Sequence, residues 1–392
     1  MSAYSCLPGQ GSEPGAGWAW ARAATRDHEV WLLTHSANAA LIEPTRAADD
    51  VLRRRLRPVY LHLGGPVEWM RQGGPLRFVY YVLWQLGPCR RAARRLHSTI
   101  RFDVAHHMTY ATDWAPAGIA AMPGLPFVWG PVGGSSTTGG PRLWRLLGVR
   151  AFGSELVRAV ALSVLRKTVG RRNARQAAVV LGQNADVARA FAPVPVIVEP
   201  HVALEAQSHT ARMQTSGTRV AVFAGRLLAW KGVRLALAAL RPPEAAAWRL
   251  DIYGDGPERA RLVRLAHRWG LADRVRFLGV RPRDEVRATL ATADVLLFPS
   301  VHEAAGWAVA EALAAGCPVV ALNQAGPAAL LGPGDGVLVD PRGDIVGGLT
   351  AALDAAREHR PDSGRWSAGR LPDVLRRVYP AAVAGRRLEA AA

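Results

Sequence analysis

Short apolar, β-branched stretches alternate with longer runs rich in alanine, leucine and arginine from one end of this chain to the other. That rhythm predicts parallel strands joined by crossover helices, the pattern of an α/β protein. In the first half, strands are expected at HEVWLLTH (His28 to His35), DVAHH (Asp103 to His107), PFVWG (Pro126 to Gly130) and AAVVLGQ (Ala177 to Gln183). A long helix is expected over Ser154 to Arg171, with Leu156, Val160, Val164 and Leu165 at helical spacing. It is amphipathic and ends in arginines, so it suits a core seam or a membrane surface, the core seam being the commoner case. In the second half, strands are expected at RVAVFAG, WRLDIYG, RVRFLG, DVLLFPS, CPVVAL and GVLVD. Helical patterns separate the first five of these, which is the layout of a doubly wound nucleotide-binding sheet. No segment repeats at a fixed period.

Between the halves, PVPVIVEPHVALEAQSHTARMQTSGT (Pro193 to Thr218) changes character, with prolines first and then a polar run. A domain boundary is placed there. With 392 residues and 42.1 kDa the chain suits two domains. The expected division is a first domain over 1–198, a linker over 199–217, a second domain over 218–365 and a C-terminal segment over 366–392. The stretch Trp366 to Tyr379 within that last segment looks helical and is expected to pack back on the first domain. One element is missing from the pattern: the glycine-rich GQGSEPGAGWAW begins at Gly9, preceded only by MSAYSCLP. Either the opening strand of the first domain is very short, or the chain starts inside it.

Hydrophobic residues at 49% and charged residues at 20% fit a soluble globular protein, as does a mean hydropathy of +0.04. No run of eighteen uncharged apolar residues occurs, and the start lacks a basic segment followed by an apolar one, so a cytoplasmic location is expected. Cys6, Cys89 and Cys317 are odd in number and far apart, which fits neither a disulfide framework nor a zinc site. The net charge is +18, and Lys167 and Lys231 are the only lysines. The net positive charge is larger in the first half, where basic runs occur at RRRLR (Arg53 to Arg57), CRRAARRLHSTIR (Cys89 to Arg101) and RKTVGRRNAR (Arg166 to Arg175). Such runs suit an anionic membrane surface at the inner face of the membrane or a polyanion, or they form a solvated face on an arginine-rich protein. They lack interleaved aromatic residues, so no specific nucleic acid is expected.

The candidate chemistry lies between Val220 and Asp340. In GRLLAWKG (Gly225 to Gly232) a strand runs into a loop and then a helix, placing Arg226 and Lys231 where cations can converge on a diphosphate. YGDGP (Tyr253 to Pro257) follows an apolar strand, and Gly254 allows a tight turn there. In HEAAGWAVAEALAAGCPVVA (His302 to Ala321), Glu303 and Glu311 are eight positions apart. On one helix that spacing rotates the second side chain by about 80°, so the sensible geometry puts Glu303 in a loop and Glu311 on the following helix. Ala305, Gly306 and Trp307 then open that helix, whose free N–H groups suit phosphate and sugar hydroxyls. No Asp-x-Asp dyad follows a strand and no His/Cys cluster occurs, so no catalytic metal is expected.

With these segments in order, the chain resembles a family-4 retaining glycosyltransferase of the GT-B architecture, two Rossmann-like doubly wound domains facing a cleft. GSEPGAGWAWARA, FDVAHHMTYATDW and PFVWGPVGG in the first half carry the resemblance further. It implies that Arg226 and Lys231 bind the donor phosphates and stabilise the leaving group, that Glu303 faces the transferred sugar, and that Glu311 accepts hydrogen bonds from the ribose diol. The family has glycine where this chain has Ala304, and RVRFLGVR, with Val280, matches the segment that lies against the nucleotide base. Gly15 and Gly17 are expected in a loop facing the cleft, near donor phosphate or acceptor. Trp18 and Trp20 are expected in the core or as an acceptor platform. A histidine at the end of the FDVAH strand, His107 or His106, would contact the donor sugar or acceptor. The loop Trp129 to Gly140 is either an acceptor edge or a surface loop.

The resemblance further implies a nucleotide-sugar donor, a UDP-sugar in preference to a GDP-sugar, with no metal and no covalently bound cofactor. The acceptor is a lipid-linked, saccharide or small molecule that the sequence does not specify. Two other readings remain open: a catalytically weak GT-B scaffold that binds anionic membranes or polyanions, and a nucleotide-sugar epimerase.

Overall fold

A computed structural model describes residues 1–72, 74, 76–110, 112–134, 149–205 and 218–385. The chain forms two compact units. The first comprises Met1–Ser135, Val160–Glu205 and Ser367–Ala392, and the second Ser136–Ala159 with Ala206–Trp366. The part of the Trp129 to Gly140 loop beyond Gly134, and 206–217 of the expected linker, lie outside the described residues.

The first unit is built on seven strands: β1 (Ser2–Ala3), β2 (Val30–His35), β3 (Leu56–Leu61), β4 (Ala105–Thr109), β5 (Phe127–Val132), β6 (Val179–Gly182) and β7 (Val196–Val198). All pair in parallel in the order β3-β2-β1-β4-β5-β6-β7. The opening strand is therefore present, though two residues long, and it occupies the middle of the sheet. Main-chain bonds on either side extend its pairing, from Leu33 N–H to the Met1 carbonyl at 2.9 Å and from His35 N–H to the Tyr4 carbonyl at 3.4 Å. MSAY offers too short an apolar run for periodicity to register. Two further strands escaped the pattern. β3 contains Pro58 and follows a basic run, both tolerable because it is an edge strand. β7 is three residues long at the opposite edge.

Ser12–Ala24 is a helix, not the loop expected around Gly15 and Gly17. A Cβ on Gly17 would lie 2.6 Å from the Ser5 carbonyl oxygen and 2.7 Å from Thr109 Cγ2, and one on Gly15 would lie 1.9 Å from the Gln10 carbonyl oxygen. These glycines let the helix press against the chain leaving β1, so their smallness serves packing. Trp18 and Trp20 on this helix are core residues. They share a cluster with Leu371, Val374, Leu375, Val378, Tyr379 and Ala382 of the C-terminal helix Leu371–Val383, whose spacing presents one apolar face to the first unit. We predict that Gly17→Ala costs about 1–3 kcal/mol of stability through overpacking. Urea unfolding of the variant against wild type checks this.

The helix expected over Ser154 to Arg171 spans Val149–Leu165, continues as a π-helical turn over Arg166–Gly170 and resumes as Arg171–Gln176. Leu156, Val157, Val160 and Val164 are between 44% and 71% exposed, so these positions do not form a core seam.

The second unit has six parallel strands: β8 (Arg219–Ala224), β9 (Trp248–Tyr253), β10 (Val275–Gly279), β11 (Val295–Phe298), β12 (Val319–Leu322) and β13 (Gly336–Val339). Their order is β10-β9-β8-β11-β12-β13. Chain order reverses between β8 and β11, which sets a ligand crevice at the carboxyl ends of those two strands. The expected division put all of 1–198 in one domain, whereas Ser136–Ala159 groups with the second unit, residues 199–205 with the first and Trp366 with the second.

Candidate active site

Two loops meet where β8 and β11 end. Gly225 leaves β8, a 3-10 turn covers Ala229–Lys231, and Gly232 sits at φ +74° before the helix Val233–Ala239. A Cβ on Gly232 would lie 1.9 Å from the Pro299 carbonyl oxygen, so only glycine lets the two loops touch here. The contact is sealed by Val301 N–H donating to the Trp230 carbonyl at 2.8 Å and the Ser300 hydroxyl donating to the same oxygen at 3.2 Å. Behind Gly225, Gly254 at φ +128° follows β9, where a Cβ would lie 2.0 Å from the Gly225 carbonyl oxygen. Gly254 thus holds the floor of the crevice closed by main-chain packing.

Lys231 and Glu303 are brought together by this contact. The lysine ammonium donates to Glu303 Oε2 and lies 5.5 Å from the centre of the Phe298 ring. Glu303 Oε1 also accepts from Gly306 N–H at 3.4 Å, while its own carbonyl accepts from Gly326 N–H at 2.9 Å. Gly306, at φ +77°, caps the helix Trp307–Ala314, with Ala304 and Ala305 in the turn before it. Glu303 therefore occupies the loop and Glu311 the helix. Arg283, in the first turn of the helix Arg283–Thr292, donates from Nε to Glu311 Oε1 at 2.6 Å. Arg226 follows Gly225, is exposed, and its guanidinium makes no hydrogen bond or ion pair to any described residue. Val280, just beyond β10, is 78% exposed. Trp307 is half-buried at the helix start.

Both acidic side chains thus stand paired to a cation, while Arg226, two residues beyond β8, makes no hydrogen bond or ion pair to any described residue. Electrostatically this is a site prepared for an anion: a diphosphate can take Lys231 and Arg226 as counter-charges and release Glu303 to accept hydrogen bonds from hydroxyls. Arg283 was missed from the sequence. It is one of many arginines, and its partner lies 28 positions on, so no local spacing marks it. Among the described residues no group of three His, Cys, Asp or Glu side chains could hold a metal ion.

The histidines expected at a strand end need correcting. β4 runs on to Thr109, so His106 and His107 lie inside the strand and each is 1% exposed. Their side chains alternate across the sheet. His106 is fixed by the Tyr379 hydroxyl at 2.9 Å and the Gly130 carbonyl at 2.8 Å, and His107 by the Tyr81 hydroxyl at 3.2 Å and the Ser2 hydroxyl at 3.3 Å. Both rings are thus buried and held by hydrogen bonds on both nitrogens. Burial lowers both to about 3, and it lowers His201 similarly. In the unfolded chain such rings titrate near 6.5. Below about pH 6.5 the unfolded chain takes up protons that the folded one refuses, so stability falls as pH drops, by up to about 1.4 kcal/mol per pH unit for each ring. Urea midpoints measured at pH 7.5, 6 and 5 are expected to decline steadily.

Taken together, two parallel sheets that each order their first six strands 3-2-1-4-5-6 define a two-domain α/β protein of the GT-B fold. Residues 208–364 match the model of the family described as glycosyl transferases group 1. The 2-deoxystreptamine glucosyltransferase of Streptomyces kanamyceticus is 35% identical over 181 residues, covering 44% of this chain and 47% of that enzyme. The chain thus spans about half the length of this curated relative. Among solved structures, the lipopolysaccharide outer core galactosyltransferase WaaB in its apo form superposes over 98% of this chain and 96% of its own, with TM-score 0.56 and 14% identity. Anabaena Alr3699/HepE in complex with UDP and glucose covers 96% of this chain and 98% of its own, with TM-score 0.50 and 18% identity.

Proposed function

We propose that the protein is a retaining glycosyltransferase that moves a sugar from a nucleoside diphosphate sugar, a UDP-sugar in preference to a GDP-sugar, to a hydroxyl-bearing acceptor without a metal ion. The observation that carries this reading is the Lys231–Glu303 pair before the helix Trp307–Ala314, with Arg226 in the same loop as Lys231, unpaired among the described residues, and Glu311 on that helix. The match of residues 208–364 to a glycosyltransferase family model supports it, as does the relative's glucosyl transfer. UDP and glucose in the Anabaena neighbour agree with the donor class.

Donor binding draws Lys231 and Arg226 onto the phosphates. The bond between the anomeric carbon and the diphosphate oxygen breaks, and its electron pair leaves with the diphosphate, where the two cations stabilise it. The acceptor oxygen bonds to the anomeric carbon from the same face, and its proton passes to the departing phosphate oxygen. Glu303, released by Lys231, holds sugar hydroxyls. Glu311, oriented by Arg283, accepts from the ribose diol, and backbone near Val280 borders the base. The protein's contribution is charge stabilisation and positioning, with no protein base required.

The test is release of free nucleotide from a panel of UDP- and GDP-sugars by the purified chain, with Glu303→Gln as the paired variant. Release by wild type that the variant loses supports the reading. Absence of both release and nucleotide binding sinks it.

A second property rests on its own observation. No helix among the described residues is long and apolar enough to cross a membrane. Yet the exposed Leu156, Val157, Val160 and Val164 precede Lys167, Arg171 and Arg172 on one helical stretch, a combination suited to the surface of an anionic bilayer. Sedimentation with anionic vesicles should be strong at low salt and fall at raised salt. Binding that ignores salt, or none at all, counts against it.

A further inference from the structure

The first unit carries one long helical run that the donor site does not use. The helix Leu76–Trp84 passes without a break through a π-helical turn, Gln85–Cys89, into the helix Arg90–Ile100. One side of the run is core, where Tyr80, Trp84, Cys89 and Ala93 cluster with buried residues of the sheet. The other side is uncovered. Leu76, Val79, Leu83 and Leu86 are between 39% and 49% exposed, and Trp69, in the turn Gly65–Gln72 just before them, is 61% exposed. Steps of three and four residues keep the four aliphatic side chains on one stripe of the helix. From Arg90 onward the exposed side turns cationic: Arg91, Arg94 and Arg95 are exposed and meet no acid among the described residues.

Charge decides what this stripe can face. Residues 69–102 hold seven arginines and no acidic residue. A second copy of the chain would bring like charges together, and a nucleic acid would satisfy the arginines but leave the leucines in water. A bilayer with anionic lipid satisfies both halves. The aliphatic stripe enters the boundary between headgroups and acyl chains, the arginines stay at the phosphates, and the amphipathic ring of Trp69 suits the headgroup level. We propose that the helical run over 76–100, together with Trp69, is a docking face for an anionic membrane surface and lies in the plane of that interface. It is separate from the helix Val149–Leu165, and it rests neither on that helix nor on the glycosyl-transfer reading.

The two halves of the face contribute in different ways. A basic side chain near an anionic surface strengthens binding about fivefold, so Arg91, Arg94 and Arg95 together contribute roughly a hundredfold at low salt. Leu83 and Leu86 are already about half covered, so each gains only part of the full transfer of a leucine from water, and the pair contributes at least about tenfold. The first contribution is screened by salt and the second is not.

Sedimentation of the full chain with vesicles of equal parts phosphatidylglycerol and phosphatidylcholine, at low salt, tests this. Wild type should bind, and a variant carrying Arg91→Gln, Arg94→Gln and Arg95→Gln should bind roughly a hundredfold more weakly. Leu83→Gln with Leu86→Gln leaves the charge alone and should still weaken binding at least about tenfold. Arg259→Gln, Arg264→Gln and Arg268→Gln together remove the same charge from exposed positions on a helix of the second unit. That variant should change binding less than about threefold, because docking is local. All the substituted positions are exposed, and thermal melts check that each variant is folded. No sedimentation of wild type overturns the proposal, and so does an equal loss in the second-unit variant, which would make net charge alone the cause. A loss in the first arginine variant without one in the leucine variant overturns it too, since adsorption would then proceed without insertion.

Discussion

Lys231→Ala is expected to lower the rate of sugar transfer about 10²–10³-fold, the loss found when one preorganised donor to a developing anion is removed, or about 2.7–4 kcal/mol. The argument is local. Lys231 is held between the Phe298 ring and Glu303 by a turn whose closure depends on Gly232 meeting the Pro299 carbonyl, so its ammonium is placed before the donor arrives. Arg226 is exposed and unpaired among the described residues, so filling the position would mean ordering itself at an entropic cost. The fall should appear mainly in kcat, because leaving-group charge grows in the transition state. Steady-state kinetics with the best donor of the panel measure it. A loss of less than about tenfold would mean that the diphosphate leaves from somewhere else.

Glu311→Ala is expected to weaken UDP binding by about 3 kcal/mol, roughly a hundredfold, as two hydrogen bonds to a charged acceptor are lost. The removal also strands Arg283, which now points at Glu311 from 2.6 Å and is a third exposed. Arg283→Ala should cost less, about tenfold, because Glu311 remains to accept from the ribose with a less fixed side chain. Titration calorimetry with UDP on the two variants separates these outcomes. Equal losses would mean that Arg283 itself touches the nucleotide.

Much of this arrangement was legible because the second unit keeps to one repeated grammar. VAVFA, LDIY and VLLF are buried on the sheet, each is followed by a turn and then a helix, and the order of those turns places Arg226, Lys231, Glu303 and Glu311 at one edge. The first unit broke the grammar at three strands: β1 with two residues, β3 with Pro58, and β7 with three. Main-chain pairing to longer neighbours holds such strands, and periodicity carries no trace of a neighbour. The histidines were misplaced for a related reason. Met108 and Thr109 extend β4 beyond the expected end, and two more residues of strand draw both rings into the interior. Gly15 and Gly17 read as loop glycines because composition alone does not distinguish a glycine that turns from one that lets a helix approach. Tyr4 and Tyr110 come together through topology, from segments roughly a hundred residues apart.

The most direct test of the account is a crystal structure of the full chain with UDP bound. The account predicts the β-phosphate within hydrogen-bonding distance of Lys231 Nζ, the ion pair to Glu303 opened, and the ribose hydroxyls on Glu311. UDP bound away from the carboxyl ends of β8 and β11, with Lys231 still closed on Glu303, would contradict it.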